Sequence, residues 1–187
     1  MSNSPKKKYV TAQEFLHDSY ILAKKVLDSG YEPTVLVALW RGGSMVGMVF
    51  TEYFAYKKKP FRDHTIIRVS AYSHDQLKPK VTVYNMDDLV KRLKHHDKLL
   101  IVDDIIDSGN SLAAFLEKLT NECGPNTPKE IRIATIYYKP EAVAKIPYQT
   151  YVMHEAKDWI VFPHEIEGLT LDEIEQNKGK IIAETMS

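Results

Sequence analysis

Apolar, β-branched runs separated by segments of helical periodicity predict an α/β fold: a single domain with a mainly parallel central sheet flanked by helices. Three observations carry this expectation. Residues 34–40 (TVLVALW) and 98–102 (KLLIV) are apolar throughout, the pattern of strands covered on both faces. Each run leads through a short polar or glycine-bearing turn into a helical pattern. No repeat, low-complexity block or linker divides the 187 residues, a length that suits one domain.

The elements follow in order. Residues 1–10 are polar and read as loose. Thr11-Ala12-Gln13-Glu14 fits a capping box, in which the Thr hydroxyl takes one orphan amide while Glu14 reaches back to the cap. Phe15, Tyr20, Ile21, Leu22, Val26 and Leu27 then recur at helical spacing, and Gly30 is the stop. After the 34–40 strand, residues 44–56 read as a helix of small and apolar residues. Lys57-Lys58-Lys59 closes it before Pro60, a charge that complements the C-terminal end of a helix dipole. Residues 64–72 (HTIIRVSAY) read as a strand, 73–80 as a polar loop and 81–84 as a returning strand. Residues 87–94 suit a short helix, and the 98–102 strand halts at Asp103-Asp104. A helix over 111–119 is broken by Gly124 and Pro125. Strands over 130–138 and 148–153 follow, then a polar helix or tail over 169–187.

Composition narrows the class. Apolar residues make up 44% and charged residues 27%, ordinary for a globular protein. Lys plus Arg and Asp plus Glu both number 25, so no surplus of positive charge marks a nucleic-acid surface. The lone Cys123 has no partner for an internal disulfide, which fits a cytoplasmic setting. No apolar run approaches the ~18 residues of a membrane span, and the start lacks the apolar region of a signal peptide. No H-E-x-x-H or C-x-x-C pattern suggests zinc.

In an open parallel sheet, ligands sit beyond the carboxyl ends of the strands, so two turns matter most. The first reads VDDIIDSGNSL, residues 102–112. A buried strand delivers Asp103 and Asp104, a turn follows with Asp107, and a helix begins. The amides of Ser108, Gly109, Asn110 and Ser111 at that helix start make a phosphate cradle, Gly109 allowing close backbone approach. Asp103 and Asp104 would repel a phosphate; they suit sugar hydroxyls or a Mg²⁺ ion bridging to them. Each residue alone could be a helix cap or a solvated loop charge. The second turn is Trp40-Arg41-Gly42-Gly43-Ser44, where two glycines permit unusual dihedrals beside a permanent cation. A Walker loop fails there because Met48 and Val49, not Lys, follow Gly47. Ser44 breaks a dinucleotide fingerprint, and Val46 breaks a nucleophile elbow.

VDDIIDSGNSL resembles the ribose-phosphate signature of the type I phosphoribosyltransferases, and LWRGG resembles the pyrophosphate loop of their purine branch. These enzymes transfer ribose 5-phosphate from phosphoribosyl pyrophosphate (PRPP) to a nitrogenous base, with Mg²⁺ as cofactor. The resemblance implies that Asp103 and Asp104 hold the ribose hydroxyls and Mg²⁺, while Asp107 to Ser111 take the 5′-phosphate. Asp107 would also be the general base near N7 of a purine. Trp40, Arg41 and Gly42 would meet the pyrophosphate, with a cis peptide between Trp40 and Arg41. In IYYKP, Lys139 would donate to the purine O6, selecting a 6-oxopurine over adenine. DWIVFPHE resembles the hood over the base: Trp159 would stack on the purine, the Ile160 backbone would meet C2, and Glu165 would lie near a second Mg²⁺. That hood would comprise residues 141–168 with the N-terminal segment.

Ala71-Tyr72-Ser73-His74-Asp75 aligns with the family's flexible lid. Relatives often have Ser-Tyr where this chain has Ala71-Tyr72, and a Trp where it has His164. The expected activity is therefore salvage of hypoxanthine, guanine or xanthine, with release of pyrophosphate. A homodimer or homotetramer is expected, with no nucleic-acid or membrane partner. The alternative is a PRPP-sensing, nucleic-acid-binding regulator on the same fold. PRPP synthases share the first motif but are much longer chains, and adenine or orotate transferases are lesser options.

Overall fold

The structure, a computed structural model, describes residues 6–72 and 80–186, and only the backbone of Ala71, Tyr72 and Lys80. Its elements run β1 Lys7–Tyr9, α1 Ala12–Asp28, β2 Val35–Trp40, α2 Gly43–Tyr56, β3 Asp63–Tyr72, β4 Lys80–Val83 and α3 Asp87–Arg92. Then come β5 Lys98–Ile106, α4 Asn110–Cys123, a 3-10 turn at Gly124–Asn126, β6 Glu130–Tyr138, α5 Pro140–Val143, β7 Gln149–Glu155, β8 Trp159–Val161, α6 Leu171–Lys178 and α7 Lys180–Met186.

Six strands form the central sheet in the order β4-β3-β2-β5-β6-β7, parallel except for the antiparallel edge strand β4. The apolar runs are explained by burial on both faces. Leu36, Ala38, Leu100 and Val102 pack under α1 and α2 with Phe15, Leu22, Val26, Phe50 and Phe54. Val35, Val37, Leu39, Leu99 and Ile101 alternate to the other face, against Leu89, Phe115 and Leu119. α1 begins with the capping box expected at Thr11 and Glu14. No helix of the described residues is long and apolar enough to cross a membrane.

Two expectations are corrected. The start of the chain is not loose from residue 7 onward: Lys7–Tyr9 pairs in parallel with Trp159–Val161 as a separate two-stranded sheet, which places the N-terminal segment beside the 159–165 region. Nor does β5 halt at Asp103. It runs on to Ile106 because β6 continues beside it, pairing Asp103 with Thr135 and Ile105 with Tyr137. The two carboxylates therefore sit within a strand, held in a hydrogen-bonded ladder and not in a free loop.

Candidate active site

β2 and β5 are adjacent and parallel, so their carboxyl ends bring the two sequence motifs together. A cavity of about 330 Å³ at that point is lined by Trp40, Arg41, Gly42, Asp103, Asp104, Asp107, Ser108, Gly109 and Ser111. The peptide between Trp40 and Arg41 is cis. Ser44 then closes the turn, its hydroxyl donating to the Arg41 carbonyl at 2.7 Å.

The glycines of this turn are required by packing. A Cβ on Gly42 would fall 1.6 Å from Asp104 Oδ2, and one on Gly43 would fall 2.6 Å from the Val102 carbonyl oxygen. The Asp104 carboxylate thus occupies the space that a side chain at 42 would need. Asp104 is buried, and its Oδ1 accepts the Ile105 amide at 2.8 Å, while Asp103 Oδ1 accepts the Asp104 amide at 3.0 Å. Burial pushes the Asp104 carboxyl up to about 6. Burial and the neighbouring Asp104 charge push Asp103 well above the ordinary carboxylate range. Two adjacent carboxylates in so dry a place are costly to ionise together unless a positive charge comes to them.

At the next turn Gly109 takes φ +78°, a conformation that L side chains rarely adopt, and serves as the N-cap of α4 without any side-chain cap bond. Gly109 has no side chain to cap the helix, and Ser108 and Ser111 stand beside the first amides of α4 on the cavity wall. Asn110 belongs to the same turn but does not line the cavity; its amide donates to Ser108 Oγ at 3.3 Å.

A second cavity, about 550 Å³, shares Ile105, Asp107 and Glu165 with the first and adds Lys6, Lys139, Lys157, Asp158, Trp159, Ile160 and Phe162. The Lys139 amide donates to the Ile106 carbonyl at 2.9 Å, which fixes it beside the end of β5. Its ammonium is ion-paired with Asp107, and that bond raises the Lys139 pKa. Trp159 is 43% exposed, presenting indole surface to solvent. Glu165 accepts the Phe162 amide at 3.1 Å.

Nearly all the residues singled out in the sequence meet around these two adjoining cavities. Ala71 and Tyr72 end β3, but their side chains and residues 73–75 of the expected lid lie outside the described residues. Three basic residues that line the cavities were given no role from the sequence. Lys6 was passed over because a polar chain start carries no signal of a strand partner. Lys157 directly precedes the DWIVFPHE segment and is exposed. His164 had been noted only as a departure, yet it lines the first cavity. Its Nε2 is 3.6 Å from Asp104 Oδ2, it stacks on Phe162 at 5.8 Å, and its buried Nδ1 has no hydrogen-bond partner among the described residues. Burial holds this imidazole below its usual pKa, so it faces Asp104 as a neutral ring.

Comparison with known proteins agrees with this geometry. The chain is similar to a purine phosphoribosyltransferase from Pyrococcus horikoshii OT3, with 25% identity and a TM-score of 0.68 over 88% of this chain and 97% of that one. It is similar to the xanthine-guanine-hypoxanthine phosphoribosyltransferase of Helicobacter pylori, with 26% identity and a TM-score of 0.69 over 91% and 99% of the two chains. A hypothetical protein from Neisseria gonorrhoeae with bound ppGpp shares the fold at a TM-score of 0.72 and 18% identity, over 94% of this chain and 97% of that one. The family model of the phosphoribosyl transferase domain matches residues 7–169, from β1 of the small sheet through both cavities. With the mainly parallel sheet, the two loops at its carboxyl edge and that span of matched residues, the chain belongs to the phosphoribosyl transferase family and has its type I fold.

Proposed function

We propose that the chain is a Mg²⁺-dependent purine phosphoribosyltransferase, a pentosyltransferase that moves ribose 5-phosphate from PRPP to a 6-oxopurine and releases pyrophosphate. The observation that carries this reading is the shared wall of the two cavities. Asp107 stands in both and is ion-paired with Lys139, so one carboxylate joins a phosphate-binding turn to a polar, tryptophan-lined base pocket. The purine enzymes among its structural relatives support the choice of base.

Each part of the site has work suited to it. The amides of Ser108 to Ser111 bind the 5′-phosphate, and the Gly42-Gly43 turn with Arg41 takes the pyrophosphate end. Asp103 and Asp104 orient the ribose hydroxyls. Trp159 stacks on the purine, the Ile160 backbone meets its C2 side, and Lys139 donates to O6. An amino group there, as in adenine, would also be a donor and would repel it. Asp107 moves the proton at N7.

The carboxylates fit Mg²⁺. They are hard oxygen donors, burial makes Asp103 and Asp104 costly to ionise without a counter-charge, and Glu165 lines the same cavity. Among the described residues no three His, Cys, Asp or Glu side chains form a ready cage, which suits an ion held partly by its substrate's oxygens. Bound there, Mg²⁺ would supply neutralisation of the charge on the departing pyrophosphate.

The test is a PRPP-dependent assay with hypoxanthine, guanine, xanthine and adenine, with and without Mg²⁺. Turnover of at least one 6-oxopurine, none of adenine, and loss of activity on chelation are expected. Failure to turn over any purine would remove the reading.

A further inference from the structure

We propose that Glu173, on the helix α6 that lies beyond the family-matched region, is a positioning residue for the base site: it holds Lys7 against the indole of Trp159. That a purine occupies the cavity rests on the function proposed above. The clamp itself rests on geometry.

β1 and β8 pair over only three residues each, Lys7 with Trp159, Lys8 with Ile160 and Tyr9 with Val161. Two strands this short have little stability of their own. Glu173 supplies what they lack. Its Oε1 accepts the Lys7 ammonium at 2.7 Å and the Tyr9 hydroxyl at 2.9 Å. Its Oε2 accepts the Thr170 amide at 2.9 Å, closing a capping box that fixes the carboxylate from its own helix. The Lys7 and Glu173 side chains are only 18% and 29% exposed, so water competes weakly for the pair.

Lys7 Nζ lies 5.1 Å from the Trp159 ring centroid, a cation over an aromatic face. Trp159 lines the base cavity and Lys7 does not, so Lys7 and Glu173 act on the base only through the indole. At the other end of α6, Lys178 donates to the Phe162 carbonyl just past β8, and Ile174 is buried between the two contacts in the sequence. One helix therefore holds Trp159 through Lys7 and the chain beyond it through Phe162. The donors around Glu173, Lys7 first, hold its carboxyl down at about 2, so this carboxylate is charged at neutral pH.

Glu173→Ala releases Lys7, and the expected result is a roughly tenfold rise in KM for the purine with KM for PRPP unchanged. Glu173→Gln keeps acceptor oxygen for Lys7 and Tyr9 and recovers most of the loss. Glu175→Ala, an exposed position on the same helix, changes neither KM. The indole N–H resonances of Trp40 and Trp159, the two tryptophans of the chain, report the contact without turnover. Glu173→Ala shifts the Trp159 signal and leaves that of Trp40 in place. If that variant does not fold, Lys7→Met provides the same readouts. A Trp159 resonance that stays put overturns the clamp, as does a parallel change in both KM values, the mark of a merely structural helix. Absence of transfer by the unaltered chain would count against the purine function instead, and the indole signals would still decide the clamp.

Discussion

Asp104 shows at a single residue how the site trades stability for chemistry. Its folded-state pKa of about 6 lies above the ordinary 3.8, so the folded chain holds this proton more tightly than the unfolded one. Stability from this group is full below about 3.8 and falls as pH rises towards about 6. Asp104→Asn removes that fall. At pH 7.5 without Mg²⁺ the variant is expected to be more stable than the parent by about 2 kcal/mol, with the gap closing by about pH 4 and with transfer lost. Thermal melts at both pH values check it; a gap that does not change with pH would show that burial is not the cause. Asp107→Asn is expected to lower kcat by ~10²-fold, since it removes the proposed base and the partner of Lys139 together. Near-normal turnover across the pH range would exclude Asp107 as the base. These residues were legible because they are contiguous in the sequence, in a pattern too ordered for loop charges. His164 and Lys6 were not, since nothing local signals which distant groups they will face.

Between elements, α2 lies very close to β2 where it crosses that strand. A Cβ on Gly47 would fall 2.8 Å from the Ala38 Cβ, with little room for either to move. Gly47→Ala should therefore push α2 off the sheet and cost about 1–3 kcal/mol, outweighing any gain in helix propensity; urea unfolding measures it. Most elements could be read from the chain because burial on both faces leaves strands such as β2 almost wholly apolar. β1 could not. Its residues, Lys-Lys-Tyr, have no strand signature and take their conformation from Trp159–Val161, far away in sequence. The overrun of β5 was hidden for a related reason: Asp103 and Asp104 read as a stop unless the neighbouring β6 is known to continue.

For the molecule as a whole, the equal numbers of acidic and basic residues conceal a division of labour. Carboxylates at 103, 104 and 107 gather on the sheet edge, while Arg41 and Lys139 stand around the same two cavities. If the proposed function holds, such a site would meet its anionic substrate through amides and a metal, without a surplus of positive charge. The C-terminal region divides as well. α7 buries no residue, so ending the chain after Gly179 should leave the melting temperature and both KM values close to those of the full chain. A marked drop in either would assign α7 a structural role. The pairing of Lys7–Tyr9 with Trp159–Val161 also sets an order of events during synthesis. Most of the lining of the first cavity, from Leu39 to Leu112, leaves the ribosome before His164 and Glu165 complete it. The base pocket must wait for a first strand to be met by one of the last, and such long-range closures come late in folding. On the proposed function, a nascent chain would thus have most of its place for the sugar phosphate before any place for the purine.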